Sequence, residues 1–366
     1  MKCHRKHSWL CSSLTMNKGI YIHIPFCIRK CLYCDFCSIT DKSLYDAYVD
    51  ALINEIKEAR GICADTVFIG GGTPTVLGER LLDIIHAVKD SFYLTENCEF
   101  TVEANPGTVD LSLLCKMNKA GVNRLSLGVQ SFNDAELKKL GRIHSATEAE
   151  NAFMLARDAG FENINVDIML STPGQSMESV KRTLEKVKEL KPEHVSAYSL
   201  IVEEGTPFYD MELDLPDEDT EREIYRYAVE FFESIGLKRY EISNFAKEGN
   251  ESRHNMKYWQ CSEYVGFGAA AHSYTGGYRY GNTSNINDYI NGVEKVTERE
   301  FIDKEEQLKE KFLLGLRMSK GVIYNGEFID KIEKLITDGL IEKHNGYVRL
   351  SEKGFDLGNL VFMEFV

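Results

Sequence analysis

The sequence predicts an α/β fold: a partial (β/α)6 TIM-like barrel followed by a small helical, winged-helix-like C-terminal domain. Three observations carry this. Apolar, β-rich runs alternate six times with stretches of helical periodicity, polar residues collect at the ends of those runs, and the pattern turns predominantly helical after Glu305. The runs are Gly19–Pro25, Thr66–Ile69, Phe100–Ala104, Arg124–Val129, Asn163–Met169 and His194–Leu200. Strands that alternate with helices form a parallel sheet, and some 220 residues of such alternation suit a barrel or partial barrel.

Beyond the sixth run, the acidic stretch Glu212–Asp219 reads as a solvated loop leading into a helix capped at Asp217 or Asp219. In the last part, Leu308, Phe312, Leu313 and Leu316, then Phe328, Ile332 and Leu335, recur at helical spacing. Leu340–Lys343 and Tyr347–Leu350 flank His344-Asn345-Gly346, a hairpin signal. The expected division is an unstructured extension over 1–16, the barrel over 17–240, a connecting segment over 241–300 and the winged-helix-like domain over 301–366.

Charge and hydropathy remove several functional classes. The 43 Lys and Arg against 57 Asp and Glu give a net charge of -14, which leaves no broad basic footprint for nucleic acid. The C-terminal region mixes both signs, as in Asp330-Lys331-Ile332-Glu333-Lys334, so it is expected to pack against the barrel. No run approaches the roughly 18 apolar residues of a membrane span, and the basic start has no secretory apolar stretch. A cytoplasmic location is expected, without a transmembrane segment.

Four of the ten cysteines fall between Cys27 and Cys37. Disulfide frameworks belong to small secreted domains, a poor match to this large acidic chain. Cys63, Cys98, Cys115 and Cys261 sit among apolar neighbours and read as small hydrophobes. In Cys27-Ile-Arg-Lys-Cys31-Leu-Tyr-Cys34 the spacing C-x3-C-x2-C brings three thiolates to one short loop. Zinc would want a fourth ligand from a second knuckle, which the sequence lacks. A four-iron cluster held by three thiolates instead keeps one iron open to a substrate.

The strand ends add the polar groups: Gly70-Gly71-Gly72-Thr73-Pro74-Thr75 after the second run, Glu103 with Asn105-Pro106, Gln130, Asp167, and Tyr198 with Ser199. In a parallel barrel these ends open on one mouth, where active sites are built. The glycine segment lacks the spacing and lysine of a phosphate loop. Its glycines let a ligand approach the backbone closely.

The C-x3-C-x2-C motif with Tyr33 before its third cysteine resembles the radical S-adenosylmethionine (SAM) superfamily. The resemblance implies a [4Fe-4S] cluster on Cys27, Cys31 and Cys34. Its open iron would hold SAM, and an electron from the cluster would cleave SAM to a 5'-deoxyadenosyl radical. By the same resemblance Tyr21, Tyr33, Gly71, Gly72, Thr73, Glu103, Gln130, Arg142 and Asp167 bind SAM, and Cys37 is not a ligand.

From Met16 onward, Tyr21-Ile22-His23-Ile24-Pro25-Phe26-Cys27 and Cys34-Asp35-Phe36 resemble the branch that holds oxygen-independent coproporphyrinogen III dehydrogenase and the HemW-type heme chaperones. The dehydrogenase has a C-x-C fourth cysteine and a longer segment before its first strand. Asp35 and a first strand near residue 19 lean to the chaperones. His254-Asn255-Met256-Lys257-Tyr258-Trp259 resembles their H-N-x-x-Y-W motif and implies His254 as a heme-site residue; imidazole is a usual axial ligand for heme iron. His23 and His272 are weaker candidates.

The resemblance therefore implies a chaperone that binds heme and transfers it to heme-accepting proteins such as respiratory ones, with a reductant such as flavodoxin or ferredoxin. The alternatives are porphyrinogen propionate decarboxylation and a heme-binding protein with a purely structural cluster. The chain departs from the branch at Leu170-Ser171-Thr172-Pro173-Gly174-Gln175 and at Ala270, where glycine is common. Its first fifteen residues match nothing, which makes Met16 an alternative start.

Overall fold

The structure is a computed structural model and describes residues 17–293 and 296–366. The extension expected over 1–16 lies outside the described residues. The barrel units are β1 (Lys18–Ile24), α1 (Tyr45–Glu58), β2 (Cys63–Gly71), α2 (Arg80–Ser91), β3 (Tyr93–Ala104), α3 (Leu111–Ala120), β4 (Arg124–Gln130), α4 (Asp134–Lys139), α5 (Ala146–Asp158), β5 (Asn163–Leu170), α6 (Met177–Leu190), β6 (His194–Ser199) and α7 (Glu218–Ser234). All six expected strands are present, and α7 starts at the expected cap, where the Asp217 side chain accepts from the Thr220 amide.

Strands β1 to β6 pair in parallel and in chain order. The next elements are β7 (Lys238–Glu241), β8 (Asn244–Ala246), α8 (Arg253–Trp259), β9 (Tyr264–Phe267), β10 (His272–Thr275), β11 (Tyr278–Asn282), α9 (Ile286–Ile290) and β12 (Val296–Phe301). They extend the same sheet at both edges, in the order β12-β11-β10-β9-β1-β2-β3-β4-β5-β6-β8-β7. Residues 241–300, expected as a connector, thus add a parallel neighbour to β1 and an antiparallel one to β6. Their strands are too short, three to six residues, to show the apolar runs that mark β1 to β6.

The pleat divides each barrel strand into two chemistries. Ile20, Ile22 and Ile24 of β1, Val67 and Ile69 of β2, and Leu125, Leu127 and Val129 of β4 pack with helix residues such as Leu52, Ile84 and Leu114 in one core. Each such side chain contributes about 1.5–3 kcal/mol by leaving water. The intervening residues point the other way, into the barrel, because successive side chains alternate across a strand. Among them are Tyr21, Thr66, Glu99, Glu103, Ser126, Asn165, Asp167 and His194.

The C-terminal unit comprises α10 (Lys304–Gly315), β13 (Val322–Ile323), α11 (Ile329–Thr337), β14 (Ile341–His344) and β15 (Tyr347–Leu350) around its own core of Phe312, Leu316, Ile332, Leu335 and Val348. The β14–β15 hairpin turns at Asn345 (φ 48°) and Gly346 (φ 81°), the pair of positive φ values a two-residue type I′ turn requires. This unit hangs on β7. Ser319 donates its amide to the Tyr240 carbonyl at 2.9 Å, and the Arg239 guanidinium lies 3.7 Å from the Phe355 ring centroid.

Ala270, at the turn between β9 and β10, has φ 59°. A side chain in the left-handed region costs about 1–2 kcal/mol, whereas glycine adds about 0.4–1 kcal/mol of unfolded-state freedom. Ala270→Gly is therefore expected to raise stability by about 0.5–1 kcal/mol, measured by urea unfolding.

Candidate functional site

The loop after β1 carries Cys27, Cys31 and Cys34 to the C-terminal mouth of the barrel. The backbone there is fixed by Cys27 N–H donating to Ile39 O (2.9 Å), Thr73 N–H to Phe26 O (2.7 Å) and Leu32 N–H to Leu140 O (3.2 Å). The three sulfurs line one cleft with Tyr33, Gly71, Gly72, Thr73, Glu103, Gln130, Arg142 and Asp167. Eight of the nine residues expected to hold SAM thus stand together with the expected cluster ligands. Tyr21 is the exception. It lies deeper in the barrel, where its hydroxyl meets His23 Nδ1 at 2.9 Å.

Glycine is required at the cleft wall. Gly71 has φ 108°, and a Cβ there would stand 2.5 Å from the His23 ring; at Gly72 it would stand 2.6 Å from the Phe26 carbonyl oxygen. Arg142 organises the opposite wall. Its guanidinium donates to Cys31 Sγ at 3.4 Å, to the Gly128 carbonyl and to Asn105 Oδ1, and Asn105 Nδ2 donates in turn to Thr73 Oγ1 at 2.7 Å. Thr73 Oγ1 lies 3.6 Å from Cys27 Sγ. Residues sequence reading did not single out, Ser126 and Asn165, donate to Asp167 at 3.4 and 2.6 Å. Their signal was the polar alternation inside otherwise apolar strands.

Burial raises the Cys27 thiol and takes Cys34 to about 11, so in the bare chain both hold their protons at neutral pH. Iron at the site would reverse that preference by its positive charge. The donor set fits a cluster, in which each thiolate takes a different iron and the sulfurs need not meet at one point. Among the described residues no three His, Cys, Asp or Glu side chains stand close enough for a single ion. The buried Arg142 Nε also lacks an acceptor among the described residues, leaving a donor for an anionic ligand. Cys37 does not line the cleft; its sulfur faces the Ser284 carbonyl at 3.6 Å and its own carbonyl meets His23 Nε2 at 2.9 Å. His272 is exposed on β10.

His254, implied as a heme-site residue, stands apart from the cysteine cleft. It is buried at the opposite, N-terminal end of the barrel, with Nδ1 2.9 Å from Thr66 Oγ1 and Nε2 2.9 Å from the Tyr258 hydroxyl. Both ring nitrogens are thereby engaged. The ring stacks on Phe68 at 5.3 Å, and burial, aided by the Lys257 and Arg124 charges, lowers it to about 3. Helix α8 plugs the barrel floor, its first amides from Arg253 and His254 donating to the Glu99 carboxylate at 2.9 and 3.0 Å.

Burial, reinforced by the Asp167 charge, raises Glu103 to about 8, while its Oε2 accepts the Gly71 amide at 3.1 Å. Its native carboxyl binds a proton that the unfolded chain has released above about pH 4.5. Stability of the cofactor-free protein should therefore fall from about pH 5 to 8, by up to about 1.4 kcal/mol per unit. Glu103→Gln should flatten that slope in urea unfolding.

Residues 21–187 match the Radical SAM superfamily and residues 302–357 the HemN C-terminal domain. The chain is 38% identical to Heme chaperone HemW of Lactococcus lactis subsp. lactis (strain IL1403), over 96% of this chain and 98% of that one. It is 40% identical to Heme chaperone HemW of Bacillus subtilis (strain 168), over 95% and 99%. Coproporphyrinogen III oxidase (HemN) from Escherichia coli, a radical SAM enzyme, shares the fold with a TM-score of 0.83 at 22% identity, over 95% of this chain and 90% of that one. With near-complete coverage by relatives at this identity, the chain belongs to the HemW-type heme chaperone family of the Radical SAM superfamily.

Proposed function

We propose that this protein is a heme chaperone: it binds heme and transfers it to acceptor proteins, with a [4Fe-4S] cluster and SAM at the barrel mouth. The observation that carries the reading is the near-full-length likeness to two proteins named heme chaperone. The orientation of Cys37 away from the cleft supports a three-thiolate cluster. Cys27, Cys31 and Cys34 would each hold one iron, and Tyr33, Gly71, Gly72, Thr73, Glu103, Gln130, Arg142 and Asp167 would hold SAM. When bound, the cluster supplies the electron that cleaves SAM. The chain's own residues orient the nucleotide and exclude water around it: the glycine segment gives close backbone approach, Arg142 offers positive charge beside Cys31, and Glu103 and Asp167 accept hydrogen bonds.

Heme-accepting proteins, respiratory ones among them, are the proposed recipients, and a small flavodoxin or ferredoxin the proposed reductant. A cytoplasmic site of action agrees with the sequence; among the described residues no helix is long and apolar enough to cross a membrane.

Two measurements test the reading. After anaerobic reconstitution, Cys27→Ala, Cys31→Ala and Cys34→Ala should each lose most bound iron and sulfide, whereas Cys37→Ala keeps them; an intact cluster in Cys31→Ala would overturn the ligand assignment. The reduced protein should bind heme stoichiometrically and leave coproporphyrinogen III unconverted. Conversion would favour the decarboxylating enzyme. Heme binding without any 5'-deoxyadenosine would favour a structural cluster.

A further inference from the structure

The H-N-x-x-Y-W segment divides across two faces of α8. His254 and Tyr258, four residues apart, face the barrel floor and bond each other. Met256 and Trp259, three apart, face outward and line a cleft between the barrel floor and the C-terminal unit. That cleft offers about 1000 Å³, against about 130 Å³ at the cysteine mouth. Ligands of drug size take pockets of about 300–1,000 Å³, so the floor cleft has room for a tetrapyrrole.

Its chemistry suits an apolar plate with carboxylate arms. Met256 and Trp259 form one wall, and Val322, Ile323 and Tyr347 of the C-terminal unit the other. Lys238, Arg239, Arg253, Lys257, Lys311 and Lys320 line it against Asp65 and Glu251, a local excess of positive charge on a chain of net charge -14. Several of these cations are weakly committed. Lys238 is 4.0 Å from Glu248 and Lys311 3.9 Å from Glu327, while Lys320 lies over the Tyr347 ring at 4.9 Å and makes no ion pair among the described residues. The buried Trp259 indole N–H has no acceptor among the described residues.

We infer that this floor cleft is the heme site, with the macrocycle between Met256 and Trp259 on one side and Val322, Ile323 and Tyr347 on the other, and its propionates on Lys311 and Lys320. The inference rests on the chaperone reading. No histidine lines the cleft among the described residues, so the iron is not held by His254; Met256, Met318 and Tyr347 line it with atoms that can ligate iron, whereas the Tyr240 hydroxyl there is engaged by His194 and the Ser252 amide.

The test titrates hemin, and separately its dimethyl ester, into the full chain and into Lys311→Glu/Lys320→Glu and His254→Gln variants. Exposed or half-buried lysines leave the fold of the double variant intact, checked by circular dichroism. Losing two charge-assisted contacts should weaken hemin binding about tenfold or more. The wild-type chain should bind the ester about as weakly, and folded His254→Gln should keep the affinity and absorption spectrum of the wild type. Unchanged affinity in the double variant, or a shifted spectrum in His254→Gln, overturns the cleft while leaving the chaperone reading in place. Absence of stoichiometric hemin binding by the wild-type chain overturns the chaperone reading itself.

Discussion

The pleat of the parallel strands is the constraint on which the rest depends. Because side chains alternate across each strand, β1 to β6 place Ile, Val and Leu against the helices and send every other residue inward. A sheet packed on one face only would be marginal, and the helices close that face. The inward face is then free to carry Thr66, Glu99, Glu103, Ser126, Asn165, Asp167 and His194. Those groups survive burial because they bond one another, as in His194 Nδ1 with Asn165 Oδ1 at 2.6 Å and Asn165 Nδ2 with Ser126 Oγ at 2.7 Å. A one-residue register slip in any strand would exchange core for site.

At the mouth, the same low-dielectric surroundings set the chemistry. Burial disfavours charge on Glu103, Asp167, Cys27 and Cys34 alike. Arg142 is the counterweight, reaching Cys31, Asn105 and the Gly128 carbonyl from one guanidinium whose fork geometry a lysine could not reproduce. The cleft is thus built to be completed by groups that bring their own charge, which is how a metal cluster and a sulfonium nucleotide would stabilise it.

The floor of the barrel solves a different problem. Helix α8 ends the polar interior by donating its first amides to Glu99 and by pairing its imidazole with the Thr66 and Tyr258 hydroxyls. One short segment therefore closes the barrel with His254 and Tyr258 and presents Met256 and Trp259 to the C-terminal unit. The ionic and ring contacts between Arg239 and residues Glu352 and Phe355 hold that unit over the cleft. On the proposed reading the two ends of the barrel would take separate ligands, the nucleotide at the mouth and the macrocycle at the floor.

The local pattern was legible in the chain: six apolar runs, the Asp217 cap, the Asn345-Gly346 turn and the three spaced cysteines each follow from near-neighbour chemistry. So was the gathering of Glu103, Gln130 and Asp167, since parallel strand ends share a mouth, whereas Arg142, in the loop after α4, was implied only by the resemblance. Tertiary structure decided what depends on distant partners. Strands β7 to β12 build outward from β1 and β6, with β9 on β1 and β8 on β6, and not through their own composition. Tyr21 lies below the cleft, and His254 is spent on Thr66 and Tyr258, residues whose proximity arises when the barrel closes around α8. The orientation of a side chain within a motif is set by the neighbours that folding brings to it, and Thr66, for one, lies 188 residues from His254.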